Sequence, residues 1–188
     1  MHVDSYFKEV VDLAWSIDKG QIEKMAQGLS DLRAEGKRLF VIGLGGSLAN
    51  AIHLSADLRK LCDLKTYCPD NIAELTARIN DEGMETALTA WMDVFRADEG
   101  DGLFVLSVGG GTPEVSVCIL RSVNYAIGKG MRIFGITGPD GGYTAASGGL
   151  VIKVPAVKNI TPHSEAFQAV IWHCLVSHPS LQRNKTKW

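Results

Sequence analysis

The feature that most limits how this chain can fold is a repeated alternation. A short apolar run is followed by a glycine-rich break, and then by a stretch with helical spacing. It is first complete where "KRLFVIG" (37–43) ends on glycine and residues 47–61 take up the helical period. It recurs at "DGLFVLSV" (101–108), followed by Gly109-Gly110-Gly111 and "TPEVSVCILRSVNYAIGKG", and again at "MRIFGIT" (131–137), followed by "GPDGG". The apolar runs are continuous rather than alternating, as in strands buried on both faces. Parallel strands of this kind need helical crossovers of one hand. The expected fold class is therefore α/β: a three-layer sandwich with a five-stranded parallel sheet in the order 2-1-3-4-5, in one domain over residues 1–188.

The remaining elements fit around that frame. Residues 3–34 read as helical, with Phe7, Val10, Ala14, Ile17, Met25, Leu29 and Leu32 near helical spacing and Gly20 as the interruption. "LKTYC" (64–68) reads as a second strand stopped by Pro69, and 71–79 and 83–96 as two helices. Thr112 is the expected N-cap of the next helix, with Pro113 at its first position. "GLVIKVP" (149–155) is the expected last strand, 163–178 the final helix, and 179–188 a polar tail expected to fray. The N-terminal region has more apolar positions than one stripe facing its own sheet needs, so 1–34 is expected to mediate assembly.

Composition excludes several partners. Net charge is −2 and charged residues are 21% of the chain, which argues against a basic nucleic-acid surface or a membrane-seeking patch. No apolar run reaches membrane-spanning length. The start, "MHVDSYFKEVVDLAW", is amphipathic and acidic, unlike a targeting peptide, and a cytoplasmic location is expected. Cys62, Cys68, Cys118 and Cys174 form no C-x-x-C pair and read as reduced thiols.

Open parallel sheets bind ligands beyond the carboxyl ends of the strands, where strand order reverses. Here that crevice lies between the first and third strands, and the richest glycine turns follow those two: Gly43-Leu44-Gly45-Gly46-Ser47 and Gly109-Gly110-Gly111-Thr112. Both are expected to lead into helix N-termini, whose free N–H groups and dipole favour an anion. Ser47, Ser107 and Thr112 add hydroxyls, so the expected ligand group is phosphate. A dinucleotide competes, with Asp70 in the place of a ribose-binding acid, but Leu48 stands where G-x-G-x-x-G needs its third glycine.

His53 and Asp57 are four residues apart and share one helical face just after the first turn. Glu165 and His173 lie two turns apart on the final helix. Two imidazoles and two carboxylates suit zinc or another divalent transition metal. Taken singly, the first pair is an ordinary surface hydrogen bond and His173 an ordinary core histidine.

Five stretches now carry a resemblance: "GLGGSLANAIHLSADL", "INDEG" (79–83), "LSVGGGTPEV" (106–115), "KGMRIFGITGPDGG" (129–142) and "TPHSEAFQAVIWH" (161–173). In this order and spacing the chain resembles the SIS (sugar isomerase) domain family, and most closely the sedoheptulose 7-phosphate isomerases, or phosphoheptose isomerases. The resemblance implies an SIS-type flavodoxin-like fold with an extra N-terminal helix. It also implies a homotetramer with active sites between subunits, and an enediol reaction that interconverts a ketose and an aldose phosphate. The implied metal positions are His53, Asp57, Glu165 and His173, with zinc as the expected ion. The implied substrate positions are Gly45, Gly46, Ser47, Asp81, Ser107, Gly109, Gly110, Gly111 and Thr112. The implied base is Asp57 and the acid His173; Glu165 is a further candidate base.

This chain also departs from the pattern. The family has glutamate at Asp57 and glutamine at Glu165. Its S-T-S-G-N-S motif falls on Ser107–Thr112, where Val108 and Gly109 lack hydroxyls, and Pro162 and His163 replace an acidic residue and an arginine. Two other readings follow from these departures. One is a non-catalytic SIS protein that binds a sugar phosphate or a protein partner, as in replication-initiator-associating relatives. The other is ether cleavage on an amino-sugar phosphate.

Overall fold

The computed structural model describes residues 1–186. Five strands, β1 (Leu39–Gly43), β2 (Thr66–Tyr67), β3 (Gly102–Ser107), β4 (Arg132–Thr137) and β5 (Leu150–Lys153), pair entirely in parallel in the order β2-β1-β3-β4-β5. Every residue of β1 and β3 is buried, as their unbroken apolar sequences require. Leu39 pairs with Gly102 and Gly43 with Leu106, so the ends of β1 and β3 rise side by side. Strand order reverses between them, and the crevice lies above that point.

Among the described residues eight helices surround the sheet: α1 (His2–Ser16), α2 (Lys19–Ala34), α3 (Gly46–Cys62), α4 (Ile72–Glu82), α5 (Ala87–Val94), α6 (Val117–Gly128), α7 (Gly142–Ala146) and α8 (Ile160–Val176). One core joins Met25 and Leu29 of α2, Leu54 and Leu58 of α3, and Phe167, Ile171 and Trp172 of α8 to Val41 and Phe104 of the sheet. The other joins Trp91 and Met92 of α5 and Ile119 and Val123 of α6 to Phe40 and Val105. Phe40 and Val41 are adjacent and feed opposite cores, as strand alternation demands. Among the described residues no helix is long and apolar enough to cross a membrane.

Several boundaries differ from the sequence reading, each for a local reason. The N-terminal break falls at Ile17–Asp18, not Gly20: Ile17 is extended, and the Asp18 carboxylate caps α2 by accepting the Gln21 N–H at 3.1 Å. On α1 only Leu13 is buried, joined by Ile17 just beyond its end, while Val3, Phe7, Val11 and Trp15 are each more than half exposed. Thr112 does not cap α6. Its hydroxyl accepts the N–H groups of Glu114 and Val115 in a local turn, and α6 starts only after Ser116, which is held at φ 58. The final helix begins at Ile160, so Pro162 lies in its first turn, where a missing N–H costs nothing.

The tail is held rather than frayed through Asn184. The Arg33 guanidinium donates to the carbonyls of Cys62, Ser180 and Leu181, and Arg183 and Asn184 N–H groups reach the Leu61 carbonyl. The end of the expected tail, Lys187 and Trp188, lies outside the described residues.

Candidate active site

The first glycine turn is open. A Cβ at Gly43 would come within 2.6 Å of the Ser47 carbonyl, so the chain must turn directly into α3. Gly45 takes φ 56, ψ −127, and nothing lies within 4 Å of where its side chain would be. α3 then begins at Gly46, with its first N–H groups at the crevice. Beside the turn, Leu44, Leu48, Leu75, Ile79 and Leu88 enclose an apolar hollow of about 30 Å³ under α4, too small for a sugar.

The second glycine turn is closed on itself. Ser107 Oγ accepts the Gly110 N–H at 3.1 Å. The Gly110 carbonyl accepts the Thr144 N–H at 3.0 Å and its hydroxyl at 2.7 Å, and the Gly111 carbonyl accepts the Tyr143 N–H at 2.9 Å. A Cβ at Gly110 would collide with the Gly141 carbonyl, and one at Gly142 with the Gly109 carbonyl. Gly110 and Gly111 are therefore glycine because two backbones meet there; Gly109 alone of the three is exposed with open space around it. The expectation of two helix N-termini converging on the crevice is corrected. Only α3 starts at its turn, because Thr112 commits its segment to a separate loop. Asp81 lies exposed near the end of α4, where its carboxylate accepts from Asn80 at 2.7 Å.

From the first turn a polar seam runs between α3 and α8. Gly46, Asn50, His53 and Asp57 are spaced four, three and four apart, which places them on one helical stripe. Asn50 Nδ2 donates to the Glu165 carbonyl at 3.0 Å and to Gln168 Oε1 at 3.1 Å, and Gln168 Nε2 donates to Ser47 Oγ at 3.1 Å. Further along, ligand atoms of His53, Asp57 and His173 all lie within 4.8 Å of one another. His53 Nε2 is 3.7 Å from Asp57 Oδ2. His173 Nδ1 donates to the Ala169 carbonyl at 2.8 Å, which fixes the ring and leaves Nε2 for a metal or a proton.

Behind them the buried Trp172 ring stacks on His173 at 3.5 Å and meets His53 edge-on at 4.7 Å. Two imidazole nitrogens and a carboxylate oxygen, with one nitrogen pre-oriented, fit a divalent transition metal that keeps an open position. Among the described residues this is the one such group of three or more.

Glu165 is not in that group. Its carboxylate rests against Gly46, where a Cβ would strike it. The Asn50 bond holds residue 165 beside the first turns of α3, and eight residues of helix, about 12 Å, separate it from His173. His163 is fully buried on another side of α8, with Nε2 2.9 Å from Glu9 Oε2 and the Tyr6 ring tilted against its own at 4.4 Å. Hydrogen bonds from His163 and Asn159 hold the Glu9 carboxyl below the usual range. That contact seats α1 beside a groove of about 430 Å³ whose lining includes Lys8, Asp12, Val157 and Lys158.

The cysteines are free thiols, three of them buried. Burial pushes Cys62 up to about 11 and Cys68 up to about 12, so neither supplies a thiolate ligand at neutral pH. Sequence reading missed Asn50, Gln168 and Trp172. Asn50 had a signal, since it falls on the stripe joining Gly46 to His53; Gln168 had a weaker one, as a lone amide in the apolar run "AFQAVIW".

Comparison with known proteins bears on this site. A family model described as SIS domain matches residues 5–138. A phosphoheptose isomerase from Rhodospirillum rubrum is 33% identical over 153 residues, covering 78% of this chain and 77% of that protein. One from Shewanella denitrificans is 27% identical over 185 residues, covering 92% and 90%. The solved phosphoheptose isomerase of Neisseria gonorrhoeae superposes with a TM-score of 0.82 at 21% identity over 93% of this chain and 95% of that one. That of Francisella tularensis gives 0.79 at 23% identity over 93% and 94%. At these identities the solved structures establish the shared fold.

Proposed function

The chain belongs to the SIS domain family and to its phosphoheptose isomerase branch, and from that premise we propose that it isomerises sedoheptulose 7-phosphate to an aldose heptose 7-phosphate. The observation that carries the reading is a length. His53 lies seven residues beyond Gly46 on one helix, about 10 Å at the helical rise. An extended seven-carbon sugar spans on the order of 10 Å from its phosphate to C1 at ordinary bond lengths. A substrate held by its phosphate at the start of α3 therefore brings its C1–C2 end to His53, Asp57 and His173.

The groups at each end have distinct tasks. The N–H groups at Gly45, Gly46 and Ser47 and the α3 dipole receive the phosphate, with Gly109 on the opposite wall and Asp81, Ser107 and Thr112 beside the crevice. Gly110 and Gly111 act by holding that wall in place. At the other end Asp57 takes a proton from C1 while His173 Nε2–H gives one to the C2 oxygen, which yields the enediol. His173 Nε2 then takes the proton from the C1 oxygen and Asp57 returns its proton to C2, leaving the aldehyde with all protons accounted for. A zinc ion held by His53, Asp57 and His173 would supply Lewis-acid polarisation of the carbonyl in place of the His173 proton, leaving the second Asp57 oxygen as the base and the C1 hydroxyl proton to pass directly to the C2 oxygen. Glu165 lies at the phosphate end, so the base role falls to Asp57.

We also assign a homotetramer, on the support of the apolar stripe Val3, Phe7, Val11 and Trp15, which its own chain leaves exposed. One rival keeps a specific footing: the absent hydroxyls at Val108 and Gly109 leave a sugar phosphate less firmly placed, which favours a protein that binds it without turning it over. Assay of sedoheptulose 7-phosphate with protein loaded with zinc, and with His53→Ala and His173→Ala, separates the two. The expected result is turnover by the parent, with bound zinc and activity lost together in both variants while the fold persists. Tight binding without turnover, unaffected by either variant, would establish the rival.

A further inference from the structure

The hydrogen bonds at the head of the α3/α8 seam have a direction, and that direction decides what Ser47 can do. The Glu165 carbonyl can only accept, so the Asn50 amide must present Nδ2 to it. The same Nδ2 reaches Gln168 Oε1 at 3.1 Å, which turns Gln168 Nε2 toward Ser47. Ser47 Oγ accepts that bond at 3.1 Å, so its own proton is left to be donated elsewhere. Among the described residues no acceptor takes it. Ser47 is 2% exposed and Gln168 0%, so solvent does not scramble the chain of bonds.

We infer that Gln168, through the relay from Asn50, is a positioning residue that fixes the Ser47 hydroxyl as a donor toward an anion at the first glycine turn. This rests on the phosphate site proposed above. Gln168 does not touch the ligand. It sets the polarity of the group that does, and a glutamate of the same size would reverse that polarity by accepting from both Asn50 and Ser47.

The test is a double-mutant cycle on inorganic phosphate binding, read by calorimetry, with thermal melting to verify each fold. Gln168→Glu is expected to weaken phosphate binding about fivefold to tenfold, as is Ser47→Ala. The double variant is expected to bind no more weakly than the weaker single one, because the same donor has been lost. Gln168→Met, which removes the lock without reversing it, is expected to lose less than threefold, and it carries the test if Gln168→Glu does not fold. In sugar-phosphate turnover the losses of the Gln168 variants should appear in KM, with kcat held within twofold. Fold-changes that multiply in the double variant would mean that only the added charge acts, and would overturn the inference. A tenfold loss in Gln168→Met would overturn it as well. Parent protein that binds no phosphate would bring down the site and the inference together, whereas normal parent binding with a multiplicative cycle sinks the inference alone.

Discussion

The two glycine turns look alike in sequence and do opposite work. Both follow buried strands at the point where strand order reverses, and both are rich in glycine and hydroxyl residues. In the first, Gly45 faces open space and α3 starts at once, so its N–H groups stay available to a ligand. In the second, Gly110 and Gly111 hand their carbonyls to Thr144 and Tyr143, and no side chain fits between Gly110 and Gly141. A glycine that admits a ligand and a glycine that admits a neighbouring backbone cannot be told apart by counting. What separates Gly45 from Gly110 is whether any protein atom would meet a Cβ there.

The largest effect that would sharpen this contrast is expected at the closed turn. Gly110→Ala combines φ 68 with a backbone collision, and a loss of at least about 3 kcal/mol is expected in urea denaturation. Parent-like stability would mean that the interlock with residues 141–142 does not exist. Gly45→Ala meets no atom and bears only the strain of a backbone at φ 56, ψ −127, so about 1–3 kcal/mol is expected. At the open turn, replacing the charge in Glu165→Gln should tighten phosphate binding roughly fivefold, about 1 kcal/mol for one partly screened like charge. Unchanged affinity would place the anion away from Gly46. The smallest effect belongs to Gly109→Ala, whose side chain enters open space: stability within about 0.5 kcal/mol of the parent.

The sheet was legible because its signal is local and strong: "RLFVIG" and "GLFVLS" can only be buried strands, and glycine ends them where the crevice must form. The helix boundaries were less so. The start of α6 depends on a choice by the Thr112 hydroxyl between a helix N–H and a turn N–H, and sequence alone does not rank the two. For the site, helical spacing foretold that His53 and Asp57 share a face, and ligand chemistry together with the resemblance supplied His173 as their partner. It grouped Glu165 with them as well. The structure separates Glu165 because the way α8 lies along α3 is set by packing around Trp172 and by the Asn50 bond, neither of which periodicity encodes. Gln168 was silent for a related reason, since the importance of a buried amide lies in its partners.

The central claim is that a sugar phosphate anchored at the open turn undergoes proton transfer at His53, Asp57 and His173, about 10 Å along the same helix. Proton NMR of the zinc-loaded protein with sedoheptulose 7-phosphate in deuterated water tests it most directly. The account predicts an aldose heptose phosphate that carries deuterium at C2, with no exchange in Asp57→Asn. Saturable binding of the sugar phosphate with no aldose and no deuterium at C1 or C2 would contradict it.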